Sequence, residues 1–305
     1  MSEQLFQYSI VVPVYNSGKV VQTLLTGIYQ HMSGQGAFEV ILVDDSSTDD
    51  TWKQLKAIHP GFENLKIVRL SKNFGQAAAT LCGIYRAKGE AIITMDDDLQ
   101  YPPSELPRLI GYFSKHDYYM VLGLPQKKRQ PWSYLISEQL IRLFFRLYQV
   151  GHLNGKNISS SFRIFKSDLN FSEDLPLGRV YSIHMATLMI SPIHIGELSV
   201  EHRPSTLKKS RYSFFGRLKG FLQLLLEFNV SPMDLLKVPL LLLFVTALAI
   251  WLFLGYTSLT YHLPTLIFLL GGLLAMGQLM QAWYLRQINA RQLGMAPYLV
   301  IEEHG

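Results

Sequence analysis

Two stretches toward the C-terminal end restrict this chain more than anything else in it. Val238 to Thr257 carries no charged side chain across about twenty residues, enough for a helix to span a ~30 Å hydrocarbon core. Leu263 to Leu285 is equally uncharged, with Gln278 and Gln281 as its strongly polar residues. Only Ser258 to His262 separates them. A buried helical hairpin of a soluble protein is the alternative, but the length and apolarity favour two membrane spans. Lys219 and Lys237 precede the first span and Arg286 and Arg291 follow the second, so the positive-inside rule places both flanks in the cytoplasm. Upstream, Phe214, Leu218, Phe221, Leu222, Leu225 and Phe228 form an apolar face against Arg217 and Lys219. That pattern suits an interfacial helix, with a soluble core helix as the alternative. The expected organisation is a globular domain over 1–212, a juxtamembrane amphipathic segment over 213–237, a two-span hairpin over 238–285 and a cytoplasmic tail over 286–305. The chain is then a multi-pass protein of the inner (cytoplasmic) membrane, in contact with membrane lipids, with its globular part in the cytoplasm.

The net charge of +5 is unevenly spread, with Lys127, Lys128 and Arg129 in one cluster and Lys208, Lys209 and Arg211 in another. Such runs are usually solvated faces. The second lies shortly before the apolar segments, which points to lipid headgroups or phosphate. Nucleic acid is not an expected partner, since no finger, helix-turn-helix or aromatic RNA-binding signature occurs. The single cysteine, Cys82, excludes an internal disulfide and fits a reducing compartment.

The first 125 residues alternate apolar β-branched runs with helical spacing. Ile10 to Val14, Phe38 to Val43, Leu65 to Leu70, Ala91 to Met95 and Tyr118 to Leu124 read as strands. Helical segments follow the first four, with Asn16 or Ser17 as a cap for the first. Further on, Pro131 to Val150 reads as a helix, and Phe162 to Phe165 and Ile193 to Val200 as strands. Strand–helix alternation implies an α/β fold with a mostly parallel, Rossmann-like sheet and right-handed crossovers. The loops at the strand C-termini converge on one edge, so Pro13 to Asn16, Asp44 to Ser46, Lys72 to Gln76 and Asp96 to Gln100 should line one crevice.

The fourth strand runs straight into Asp96, Asp97 and Asp98, and Pro102 and Pro103 stiffen the exit. In an extended backbone Asp96 and Asp98 project to one side with Gln100, and Asp97 to the other. Two carboxylates and an amide oxygen make a hard oxygen site of the kind Mg2+ or Mn2+ takes, at about 2.0–2.2 Å. A plain polar turn is the alternative, but three adjacent like charges call for a compensating cation. No Gly-x-Gly-x-x-Gly follows the first strand and no Walker loop occurs, which disfavours dinucleotide dehydrogenases and P-loop NTPases. An acidic, amide-rich crevice suits a nucleotide held partly through a metal on its diphosphate. Asp44, at a strand end, can accept from a base or ribose, or cap a helix, or both.

With these residues in hand, the chain resembles the family 2 glycosyltransferases of GT-A fold, and within them the membrane-anchored polyprenyl-phosphate glycosyltransferases related to dolichyl-phosphate mannose synthase. The motifs are Val11-Val12-Pro13-Val14-Tyr15-Asn16, Asp44-Asp45-Ser46-Ser47-Thr48-Asp49, Asn73-Phe74-Gly75-Gln76 and Asp96-Asp97-Asp98-Leu99-Gln100-Tyr101-Pro102-Pro103. Each is weak alone; four in order at matching spacing are specific. The resemblance implies that Pro13, Tyr15, Asn16 and Asp44, with Asp96 and Asp97, contact the nucleotide, and that Asp96, Asp98 and Gln100 hold Mg2+ or Mn2+. It makes Asp98 and Arg203 the catalytic pair. Family members carry Gly-Ser-Arg where this chain has Gly123-Leu124-Pro125, so the lipid-phosphate arginine is replaced from among Lys127, Lys128 and Arg129. Arg203, Ser210 and Tyr212 match a second phosphate clamp, and Arg211 stands where the family has lysine. Family relatives assemble as tetramers, so a homo-oligomer is expected.

The implied reaction moves one sugar, with inversion, from a nucleotide-diphosphate sugar to polyprenyl (undecaprenyl) phosphate on the cytoplasmic membrane face. The two-span architecture looks bacterial, which favours UDP over GDP. A phosphate acceptor is mostly ionised at neutral pH, so positioning and charge neutralisation replace a general base. A processive polysaccharide synthase would carry Gln-x-x-Arg-Trp and more spans, both absent. A non-catalytic membrane scaffold retaining the fold is the reading from another class, and intact Asp96, Asp98 and Gln100 argue against it.

Overall fold

The computed structural model describes residues 6–126, 160–168, 194–203 and 298–305, with scattered helical positions between Gly271 and Leu285. The chain divides into two compact units, Met1–Arg211 with Ala296–Gly305, and Tyr212–Met295. The expected helix over 131–150, the interfacial helix, the first span and most of the second lie outside the described residues. Among the described residues no helix is long and apolar enough to cross a membrane.

The first unit is an eight-stranded sheet with strands β1 (Tyr8–Val14), β2 (Phe38–Asp44), β3 (Leu65–Leu70), β4 (Ala91–Thr94), β5 (Met120–Pro125), β6 (Arg163–Lys166), β7 (Ile195–Val200) and β8 (Val300–His304). Their order is β7-β5-β6-β4-β1-β2-β3-β8. β1 is parallel to both β2 and β4, β2 to β3, and β5 to β7. β6 runs antiparallel between β4 and β5, and β8 antiparallel on β3. The chain therefore winds outward from β1 to β3 and then returns to β1's other side as β4. That reversal opens a crevice at the C-terminal ends of β1 and β4, where α/β sheets bind ligands.

The central strands are buried on both faces, which accounts for their continuous apolar runs. On one face Ile10, Val12 and Val14 join a core with Leu24, Leu25 and Ile28 of α1 (Gly18–Met32), Leu55 of α2 (Thr51–Ile58) and Leu106 and Leu109 of α4 (Leu106–Ser114). Each such side chain contributes about 1.5–3 kcal/mol. On the other face lies α3 (Gln76–Ile84), whose Gly83 sits so close that a Cβ there would meet Val11 Cγ1 at 2.4 Å. The Ala-rich sequence of α3 is thus a demand of close packing.

Two buried polar residues near the starts of β1 and β2 bond to each other. Ser9 Oγ donates to Glu39 Oε1 at 2.6 Å, and Glu39 also accepts the Lys88 N–H at 2.6 Å. Pro13 lies beyond Val11, the last β1 residue paired with β4, so its missing N–H leaves no ladder bond unmade.

One element was absent from the sequence reading. Residues 300–304, expected as part of a tail, form β8 and close the β3 edge, pairing Ile67 with His304, Val68 with Glu303 and Arg69 with Glu302.

Candidate active site

Four loops meet at the crevice, and carboxylates and amides tie them together in sequence. From the loop after β4, Asp97 Oδ2 accepts the Tyr15 N–H at 3.0 Å and the Ser17 hydroxyl. From the loop after β1, Asn16 N–H donates to Ser47 Oγ at 2.9 Å, while Asn16 Oδ1 accepts the Thr48 N–H at 2.8 Å. From the loop after β2, Asp45 accepts the Phe74 and Gly75 N–H groups at 2.7 and 2.8 Å. All but the Ser17–Asp97 bond join backbone to side chain across loops, and together they brace the crevice. Asn16, Ser46 and Leu99 sit at φ 52°, 57° and 59°, a strained left-handed conformation that these cross-braces maintain.

Asp44 is fully buried at the end of β2. Its carboxylate accepts Ser47 N–H at 3.1 Å and the Ser47 hydroxyl, and pairs with Arg69 Nε at 3.3 Å. Burial nevertheless pushes its carboxyl above the ordinary value, against Ser47 and Arg69. Asp44 does not cap the next helix, which begins at Thr51 after Asp50; it closes a turn onto Ser47 and stands at a strand end facing the crevice loops.

The acidic triplet differs from the extended picture. β4 ends at Thr94, and Asp97 and Asp98 form a turn followed by left-handed Leu99. Asp97 is thereby committed to the β1 loop, which gives the third charge a structural duty. Asp96 receives the Gln76 amide on Oδ1 and the Ser161 hydroxyl on Oδ2, the latter at 2.5 Å. Burial, then the Asp98 and Asp97 charges, push the Asp96 carboxyl up to about 6, while Ser161 and Arg163 oppose the shift. Asp98 Oδ1 accepts the Gln100 N–H at 3.1 Å. Because the chain turns, Gln100 does not inherit its place from strand alternation; its carbonyl accepts the Arg203 N–H at 2.8 Å. The Tyr101 ring stacks on Phe162 at 5.2 Å and meets His202 edge-on at 5.0 Å. Arg203 is thus docked beside the acidic loop, its Nε donating to Glu201 Oε1 at 2.8 Å.

Among the described residues no three His, Cys, Asp or Glu side chains form a ready-made cation cage. Asp96 and Asp98 still fit a divalent ion, because Mg2+-type sites commonly use one or two carboxylates and take the rest from substrate phosphates. The raised Asp96 carboxyl marks negative charge that a cation would relieve.

Pro13, Tyr15, Asn16, Asp44, Asp96, Asp97, Asp98 and Gln100 therefore lie on loops or strand ends of one crevice, with Arg203 bonded to its rim. Arg129, Ser210, Arg211 and Tyr212, together with Lys127 and Lys128, lie outside the described residues. The sequence reading places Gln76 on the crevice in the motif Asn73-Phe74-Gly75-Gln76, without its bond to Asp96, and misses Ser161 and Arg163. Arg163 is fully buried on β6; burial pulls its guanidinium pKa down to about 10, and Asp96 opposes that shift. Its signal was an arginine inside the apolar run Phe162 to Phe165.

Residues 9–171 match the family described as Glycosyl transferase family 2. The chain is 30% identical over 230 residues to a dodecaprenyl-phosphate galacturonate synthase from Rhizobium johnstonii, covering 73% of this chain and 66% of that one. It is 28% identical to an undecaprenyl-phosphate 4-deoxy-4-formamido-L-arabinose transferase from Proteus mirabilis, covering 77% and 72%. Over 120 residues it is 37% identical to a dolichol-phosphate mannosyltransferase from Saccharomyces cerevisiae, covering 38% and 44%. Several relatives are thus spanned over less than two thirds of their own length. Among solved structures, glucosyl-3-phosphoglycerate synthase from Mycobacterium tuberculosis, crystallised with Mn2+ and UDP-glucose, superposes with a TM-score of 0.52 at 17% identity. That match covers 74% of this chain and 80% of the other, a likeness of fold.

Proposed function

The chain belongs to glycosyl transferase family 2, and from that premise we propose that it moves a single sugar from a nucleoside-diphosphate sugar, UDP-linked by preference, to polyprenyl phosphate with inversion. The observation that carries this reading is the cross-braced acidic crevice at the β1/β4 reversal, with Arg203 bonded to its rim. The named relatives act on dodecaprenyl, undecaprenyl and dolichol phosphates, which supports a lipid-phosphate acceptor.

In this mechanism Pro13, Tyr15, Asn16 and Asp44 receive the nucleoside, with Asp97 holding the Tyr15–Ser17 loop in place. Asp96 and Asp98, with Gln100, would hold Mg2+ or Mn2+, which supplies neutralisation of the departing diphosphate. Gln76 and Ser161 orient Asp96. Arg203 turns from Glu201 to the acceptor phosphate, joined by Arg129, Ser210, Arg211 and Tyr212. The acceptor oxygen is already ionised near neutral pH, so Asp98 and Arg203 position charge and no protein base removes a proton.

We further propose that 213–237 lies at the membrane surface and that 238–285 crosses it twice. Leu274, Leu279 and Leu285 are 58%, 72% and 51% exposed, which suits a hydrocarbon surround. The segment before 212 and the strand at 300–304 share one sheet, so the chain between them crosses a bilayer an even number of times or not at all. The test is a screen of nucleotide sugars with the purified chain, Mn2+ and undecaprenyl phosphate, scoring lipid-linked sugar. Product that disappears in Asp98→Asn supports the proposal; lipid-linked product made equally by that variant refutes the site.

A further inference from the structure

The sheet edge farthest from the acceptor side of the crevice carries a feature that edge covering does not require. In β8 Ile301 is 59% exposed, and Leu299 just before it is 63% exposed, so apolar burial is a small part of what holds the strand. Its partly buried Glu302 instead takes three partners. Trp52 Nε1 donates to Oε2 at 2.8 Å, and Lys56 Nζ and His304 Nε2 reach Oε1 at 3.2 and 3.0 Å. Trp52 lies in the first turn of α2 and is 4% exposed. The Arg69 guanidinium stands 5.7 Å from the centre of its ring. Arg69 in turn lies 3.3 Å from the buried Asp44 carboxylate and donates through Nη2 to Ser47 O at 3.4 Å. A register shift between Arg69 and Leu70, where β3 meets β8, is the kind of irregularity that re-aims a side chain.

We propose that β8 is a positioning element for the nucleotide site, acting through Glu302, Trp52 and Arg69 on Asp44. The Glu302 carboxylate fixes the indole, the indole face seats the guanidinium, and the guanidinium sets the charge and orientation of Asp44. Glu302 never touches the nucleotide. This inference rests on Asp44 being a nucleotide contact.

The test uses the full chain and measures Kd for UDP and for GDP, each with Mn2+, by titration calorimetry, with Tm recorded in parallel. Glu302→Ala should raise the Kd of whichever nucleotide the wild type binds by about three- to tenfold. KM for the nucleotide sugar should rise in step, while kcat and the lipid KM stay put. Glu302→Gln keeps an oxygen for the indole N–H and should bind within about twofold of wild type. Glu303→Ala cuts the 3.0 Å pair to Arg86 from the same strand and should leave Kd unchanged. An unchanged Kd in Glu302→Ala with a lowered Tm overturns the inference, as does an equal rise in both alanine variants, which would mean general loosening of the strand. Asp44→Asn separates the two levels. If it weakens binding and Glu302→Ala does not, only the inference falls; if it binds as wild type, the nucleotide reading falls and takes the inference with it.

Discussion

The crevice and the β3–β8 edge both depend on carboxylates, and they use them in opposite ways. In the crevice, Asp45 and Asp97 are buried and accept backbone N–H groups from other loops. At the edge, Glu302 and Glu303 are partly exposed and meet the ends of Lys56 and Arg86. A buried acceptor of backbone amides fixes the chain itself, and its loss leaves half-buried donors without their partner. An exposed pair fixes two flexible side chains and is screened by solvent. Substitutions should therefore be costly in the first region and mild in the second, with Glu302 as the exception because its chain of contacts leads inward.

The largest effect is expected on chemistry. Asp98→Asn should lower metal-dependent transfer by about 100-fold or more while circular dichroism stays native. Next comes Asp45→Ala, which strands the Phe74 and Gly75 amides and should cost roughly 2–4 kcal/mol in urea unfolding of the full chain. Asp97→Ala should follow at about 2–3 kcal/mol, with a raised KM for the nucleotide sugar. A pH titration sharpens the contrast at the edge. His304 and Trp52, then Lys56, hold the Glu302 carboxyl down to about 2 from 4.5. Its stabilisation is present above 4.5 and fades as pH falls toward 2, because the unfolded chain takes up the proton first. Glu302→Gln should flatten that part of the stability–pH curve. Smallest of all, Glu303→Gln should cost at most about 1 kcal/mol. A larger loss there than in Asp45→Ala would break the contrast.

The legible part of the molecule is the part written locally. Apolar runs such as Ile10 to Val14 and Leu65 to Leu70 announce buried strands, and each crevice loop follows its strand directly, so Asp44, Asp96 and Asp98 were found from position alone. Partners were harder. Asn16 or Ser17 is the expected cap of the first helix; Ser17 holds the N-cap position, but its hydroxyl accepts no helix N–H and donates to Asp97 and Tyr15 O. The third aspartate looked like surplus charge until its bond to Tyr15 N–H was seen across 82 positions. β8 was not legible at all. Val300 to His304 is short and half acidic, and what makes it a strand is β3, far back in the chain. Ser161, and the contact of Gln76 with Asp96, escaped for the same reason: they meet Asp96 only in space.

The pairing of Leu70 with Val300 also sets an order of events during synthesis. β3 emerges early and must wait, its outer row of backbone groups bare, while every residue up to β8 is translated. A nascent chain in that state has an adhesive flank, so its exposure to self-association ends with the arrival of one short strand.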